Sequence, residues 1–185
     1  MCAPFLYCVP ALNETMPDQF YATISQTPDA LTEAIRSIDK ESQAWSEHFG
    51  FNAIELPMGL IAEDSALRAV HAVQPVARLG LLMVQASTFY KWHKDVFRQC
   101  CLNMLISEDH HSHTLFGEDL HNQNMKITEL KYIPNTLYLF NNQAEHCVVN
   151  LDGPRYLFSL YFQQETPYEI VKNKLAIAGL IQEVK

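Results

Sequence analysis

No run of about 18 or more apolar residues occurs in this sequence, so no membrane-spanning helix is expected. There is no block rich in lysine and arginine, and the net charge is −8. A nucleic-acid backbone calls for clustered cations, so nucleic acid is not expected among the partners. Cysteine is scarce: Cys2, Cys8, Cys100, Cys101 and Cys147 make an odd count with no CxxC pair. Free thiols in a reducing compartment are therefore expected. Residues 1–10 are apolar, but no basic residue precedes the run, and Pro4 and Pro10 break it. It is a poor signal peptide, and the cytoplasm is the expected location. Repeats, low-complexity tracts and a second-domain boundary are all missing. What remains is 185 residues, 48% hydrophobic and 18% charged, enough for the core of one domain spanning 1–185.

The order reads helices first, strands second, helix last. Thr27-Pro28-Asp29 has the form of a helix start, with a capping residue, a proline at the first helical position and an acid in the first turn. Leu31, Ile35, Ile38, Trp45 and Phe49 follow at helical spacing, and Gly50 suits the stop. A second helix is expected over 64–73, ending before Pro75. The region 1–75 is thus expected to be helical. Strands are expected at 77–85, 99–107, 125–132, 136–140, 146–150 and 155–162, within a β core over 76–163. The segment 108–124 reads as a long loop, with at most a strand near 114–116. Thr166 and Glu169 have capping-box spacing and open a last helix over 166–182, with Val171, Leu175, Ala178 and Ile181 as its apolar stripe. Strands framed by helices suggest a β-sandwich or barrel buttressed by helices.

The chemistry concentrates in a few residues. His93 and Asp95 are two apart, so on an extended strand they share a face. His146 comes 53 residues after His93, and Arg155 nine residues later, past an Asp152-Gly153 turn. Read as a two-residue hairpin, that turn pairs Asn150 with Arg155, Val148 with Leu157 and His146 with Ser159, all facing one side. Two imidazoles and a carboxylate form a facial ligand set suited to Fe(II), with other positions open. An arginine can hold a carboxylate through paired charge-assisted hydrogen bonds.

The stretch from Trp92 through Phe162, with His93-Lys94-Asp95-Val96-Phe97-Arg98, Leu102-Asn103, His146-Cys147-Val148-Val149-Asn150, Arg155 and Ser159, resembles the core of the Fe(II)/2-oxoglutarate-dependent dioxygenase superfamily. Within it, the blocks look most like small prolyl- and aspartyl/asparaginyl-hydroxylase members. The resemblance implies a mostly β double-stranded β-helix (jelly roll, cupin-like) with flanking N- and C-terminal helices. It implies His93, Asp95 and His146 as iron ligands and Arg155 as the partner of the distal carboxylate of 2-oxoglutarate. It also implies O2 as oxidant, succinate and CO2 as co-products, and hydroxylation of an unactivated C–H. A carboxylate at Asp95, where related halogenases carry a small residue, favours hydroxylation or another oxidation. Many members have a hydroxyl residue two positions after the arginine. Here that position is Leu157, and Ser159 on the same face is the expected substitute.

Asn103 is a candidate co-substrate contact, and Arg98, Tyr90 and Trp92 are candidate substrate contacts. The plainer readings are an ion pair for Arg98 and packing for the aromatics. His110, His111, His113 and His121 read as a solvated loop, His48 and His71 as satisfied packing residues, and Cys100, Cys101 and Cys147 as small buried hydrophobes. The expected substrate is an amino acid, a peptide or another small molecule. The alternatives are a cupin-like metal enzyme that does not use 2-oxoglutarate, and a non-catalytic binding module on the same barrel. Homo-oligomerisation is left open.

Overall fold

The computed structural model describes residues 17–48, 50–106 and 111–182. In chain order these form β1 (Tyr21–Thr23), α1 (Asp29–Arg36), β2 (Ser46–His48), β3 (Phe51–Leu56), α2 (Leu60–Glu63), α3 (Ser65–Val73), β4 (Val76–Val84), β5 (Thr88–His93), β6 (Cys100–Leu105), β7 (His111–Glu118), β8 (Lys126–Leu130), β9 (Tyr138–Asn141), β10 (Glu145–Asp152), β11 (Arg155–Phe162) and α4 (Tyr168–Ile177). The strands make two antiparallel sheets, ordered β1-β9-β6-β11-β4-β3-β2 and β5-β10-β7-β8. Among the described residues no helix is long and apolar enough to cross a membrane.

Alternation along β11 and β4 sorts side chains into two layers. Phe158, Leu160, Leu79 and Leu81 meet Leu31 and Ile35 of α1, Leu67 and Val70 of α3, and Val171 and Leu175 of α4 in one buried cluster. The helices therefore cover the outer face of the large sheet, as a jelly roll with flanking helices requires. A smaller cluster of Phe20, Cys101, Phe116, Leu130, Tyr138 and Phe140 fills part of the space between the sheets. Arg155, Leu157 and Ser159 alternate with the outer row and turn toward that space.

Helix capping departs from the sequence reading. Thr27 does not cap α1, and Thr166 does not cap α4; a proline without a side-chain bond stands at each start. Instead Asp64, 1% exposed, accepts from Leu31 N of α1 and Leu67 N of α3, both at 3.0 Å. One buried carboxylate thus satisfies orphan donors of two helices. Gly179, at φ +72, stops α4 before the expected 182, and Ile181 pairs with Ile24.

The region 1–75 is not wholly helical, for β1, β2 and β3 lie in it. Helix α1 stops at Arg36 because Asp39 draws the next residues into local turns: Glu41 N donates to its Oδ1, and Ser42 Oγ and Gln43 Nε2 donate to its carbonyl. Trp45 then leads into β2, which pairs with β3; the helical spacing of Trp45 was fortuitous, and Phe49 lies outside the described residues. Within the loop expected over 108–124, residues 111–118 form β7.

The hairpin also needs correction. Strands β10 and β11 do not pair: β10 lies between β5 and β7, while Arg155 opposes Val84 on β4 and Ser159 opposes Asn103 on β6. Gly153, at φ +59, turns the chain from one sheet to the other. Asn150 Nδ2 anchors the crossover by donating to the carbonyls of Val84, Gln85 and Gly153 at 2.8–3.0 Å. His146 and Arg155 still share a space, because the inner faces of the two sheets oppose each other.

Candidate metal centre and carboxylate pocket

His146 and His93 are direct cross-strand partners on β10 and β5, and their ring centroids are 4.2 Å apart. The register then slips, so that Val148 opposes Tyr90 rather than Lys91. This bulge puts Tyr90 on the inner side with His93, where simple alternation would separate them. Their rings meet edge to face at 4.5 Å.

Asp95 lies just beyond β5, not on it. Its backbone N–H donates to Asn142 O at 3.0 Å, and Gln143 Nε2 donates to its carbonyl at 2.9 Å. These bonds bring Oδ1 to 3.4 Å from His93 Nε2 and 3.8 Å from His146 Nε2. One ligand atom from each of the three residues falls within 4.8 Å of the others.

The donor set fits a divalent metal. His93 Nδ1 lies 2.7 Å from Lys91 O, and His146 Nδ1 2.9 Å from Ala144 O. A carbonyl only accepts, so each Nδ1 carries a proton; each neutral ring then has its Nε2 lone pair on the Asp95 side, and in the imidazolium form of His93 a proton on Nε2 bonds Asp95 at the place a metal would take. Burial of His146 pushes its pKa down to about 4, so it is neutral at pH 7. Asp95 sits at about 2, because the His93 hydrogen bond and the Arg98 charge outweigh burial. Burial lowers the His93 pKa, but the Asp95 hydrogen bond outweighs it and the net shift is upward. Only one oxygen of Asp95 is free: Arg98 Nε and Nη2 reach Oδ2 at 2.8 Å, and Asn142 Nδ2 at 2.9 Å.

Arg98 is therefore not a free substrate-binding group. Its remaining Nη1 donates to Ser159 Oγ at 3.1 Å. The ion pair, the plainer sequence reading, is the arrangement found. Ser159 is fully buried, and Asn103, 5% exposed, accepts from Cys101 Sγ. Trp92 is partly buried in β5 and makes no ring contact among the described residues.

Arg155 is 3% exposed. Its Nη2 donates to Thr114 Oγ1 at 2.9 Å, and its guanidinium lies 5.6 Å from the Tyr132 ring centre. Arg155 Nε and the Tyr132 hydroxyl are buried near each other without a hydrogen bond of good geometry, and among the described residues no carboxylate pairs with this arginine. A buried, uncompensated cation is costly, and a ligand carboxylate would satisfy both orphan groups. The site thus also fits a keto-diacid. Thr114, Tyr132, Asn142 and Gln143 had no local sequence signal; they are recognisable only by what they touch.

The other histidines stand apart. His111 lies 3.8 Å from Asp152 and His113 2.6 Å from Glu129, on the exposed face of the small sheet. His121 is exposed, and His110 is outside the described residues. His71 Nδ1 accepts from Val76 N, while His48 stacks on Phe51 from strand β2, not from a helix. Among the described residues His93, Asp95 and His146 are the one group arranged to hold a metal. Cys100, Cys101 and Cys147 are buried free thiols; Cys2 and Cys8 lie outside the described residues.

No protein-family model matches the chain, and no curated protein matches it in sequence. Solved structures do match. A prolyl hydroxylase from Trichoplax adhaerens, in complex with a hypoxia inducible factor oxygen degradation domain peptide fragment, superposes with a TM-score of 0.60 at 14% identity, over 86% of this chain and 87% of that one. A Pseudomonas putida prolyl-4-hydroxylase gives 0.57 at 11% identity over 79% and 93%. A non-heme alpha ketoglutarate dependent epimerase from nogalamycin biosynthesis gives 0.56 at 12% identity over 83% of each. The chain has the double-stranded β-helix fold of 2OG-Fe(II) oxygenase structures, and beside β5 and β10 that fold carries a His-Asp-His group.

Proposed function

We propose that this protein is an Fe(II)- and 2-oxoglutarate-dependent dioxygenase, most simply a hydroxylase of an amino-acid, peptide or other small-molecule substrate, with 1–185 acting as one unit. The observation that carries this is the pairing of two half-sites between the same sheets. One is a preset set of three donor atoms within 4.8 Å; the other is a buried arginine that no carboxylate pairs with among the described residues. His93 Nε2, His146 Nε2 and Asp95 Oδ1 would hold the iron. Arg155, with Thr114 and Tyr132 beside it, would hold the distal carboxylate of 2-oxoglutarate, and Asn103 and Ser159 are proposed to border that co-substrate. Bound iron, keto acid and O2 supply oxidation of an unactivated C–H with release of succinate and CO2. The protein's share is alignment: carbonyls set the tautomers, Arg98 and Asn142 fix the carboxylate, and the walls of the sandwich exclude water.

The test is anaerobic titration of 2-oxoglutarate into the Fe(II)-loaded protein, read by the visible charge-transfer band of a chelated keto acid. A saturable band is expected, with Arg155→Ala weakening the affinity and Asp95→Ala removing iron. Bound iron without a band would overturn the 2-oxoglutarate assignment in favour of another metal enzyme on this barrel. No iron binding would favour a non-catalytic module.

A further inference from the structure

The large sheet has seven strands against four, and its β4-β3-β2 end carries a groove of about 520 Å³. The groove includes His48, Phe51, Ala53, Glu55, Arg78 and Tyr161. Tyr161 and Arg78 are cross-strand partners, as are Glu55 and Gly80. Arg78 and Glu55 therefore lie on adjacent strands, with Gly80 placing no side chain between them.

Two contacts connect this groove to the metal centre. The Tyr161 ring lies 4.5 Å from the guanidinium carbon of Arg98, and Arg98 grips Asp95 at 2.8 Å. Phe51 meets Tyr90 edge to face at 6.0 Å, and Tyr90 meets His93. Two wall residues are thus each one side chain removed from a proposed iron ligand. From Asp95 through Arg98 and Tyr161 to Arg78 the path is no longer than about four extended residues.

The charges in the groove do not neutralise each other. Arg78 is exposed and rests 5.0 Å over the Tyr161 ring, and among the described residues no carboxylate pairs with it and no cation pairs with the exposed Glu55. Opposite charges on neighbouring strands usually pair at little cost. Here each is free to meet an opposite charge on one ligand, beside aromatic walls that suit an apolar body.

We infer that this groove is the site of the oxidised substrate, and that its ligand is a small zwitterion of α-amino-acid type. The carboxylate would sit on Arg78 and the ammonium near Glu55, with an extended side chain of lysine or arginine length running past Tyr161 and Phe51 toward the iron. This rests on the oxygenase reading above, and it can fail independently of it.

The test titrates the common L-amino acids into the Fe(II)- and 2-oxoglutarate-loaded protein without O2, following perturbation of the charge-transfer band, and repeats the titration by calorimetry on metal-free protein. Each is compared with its N-acetyl and C-amide forms. At least one free amino acid should bind, with each derivative weaker by about tenfold or more. Arg78→Gln should erase the preference for acid over amide, and Glu55→Gln the preference for amine over acetamide. Both exposed substitutions should leave the keto-acid band at wild-type affinity. A normal band with no amino acid bound, with derivatives binding as well as free forms, or with neither variant changing preference would overturn the inference and leave the oxygenase reading standing. Absence of the band would overturn that reading first.

Discussion

Arg98 holds Asp95 by one oxygen only: Nε and Nη2 both reach Oδ2 at 2.8 Å, and Oδ1 is left facing the two histidines. The fork geometry of the guanidinium is what makes the carboxylate a directed ligand. Arg98→Met should weaken Mn(II) or Fe(II) binding by about 10–100-fold, as loss of a ligand's supporting contact does. Competition against a fluorescent chelator measures it. Affinity equal to wild type would show that Asp95 needs no such alignment.

Arg155 is the reverse case, a cation buried without an acid. Replacing it by methionine should leave the ligand-free protein at least as stable as wild type, with a gain of up to about 1–4 kcal/mol. Keto-acid binding should be lost with it. Urea midpoints with and without 2-oxoglutarate separate the two effects. A large loss of stability in the free protein would mean that an internal partner compensates the charge.

Asp64 joins α1 to α3 through hydrogen bonds to both N-termini. Asp64→Ala should cost about 2–4 kcal/mol, roughly the sum of two lost caps. Asp64→Asn keeps an acceptor and should cost clearly less. Urea unfolding of both variants checks the order.

Lys172 bonds Asp18 at 3.0 Å and Glu169 at 3.1 Å. Burial lowers its pKa, but those hydrogen bonds outweigh it and the net shift is upward. A raised lysine pKa contributes stability that is complete below the ordinary value of about 10.4 and is lost as pH climbs through the folded value. The difference in urea midpoint between wild type and Lys172→Met should therefore be small but present near pH 8, and should shrink toward about pH 11.5. A difference that grows with pH contradicts the sign of the shift.

Strands β4, β10 and β11 are legible in the sequence because side chains alternate along them. The sequence reading failed at β2 and β3, since β2 is short and exposed on both sides and Trp45 happens to fall at helical spacing. The hairpin reading placed His146 and Arg155 on a common face through a pairing that does not exist. They face the same interior because the chain crosses between sheets at Gly153, and a crossover and a hairpin look alike in the local sequence. Tyr90 stands near His93 in the sequence, but the bulge that turns it inward is a property of the β5–β10 pair.

The amino-acid sequence alone determined the donors and their chemistry: two imidazoles, one carboxylate, one arginine, and the periodicities that put them on strand-like segments. These are local properties, set by residue type and by the two-residue repeat of an extended chain. Only the tertiary structure decided that Lys91 and Ala144 carbonyls preset both imidazoles, that Arg98 grips Asp95, that among the described residues no carboxylate pairs with Arg155 beside Tyr132, and that Arg78 and Glu55 share a groove. Each of these depends on which strands become neighbours, and that follows from burying the outer face of the large sheet under the helices rather than from any short stretch of residues.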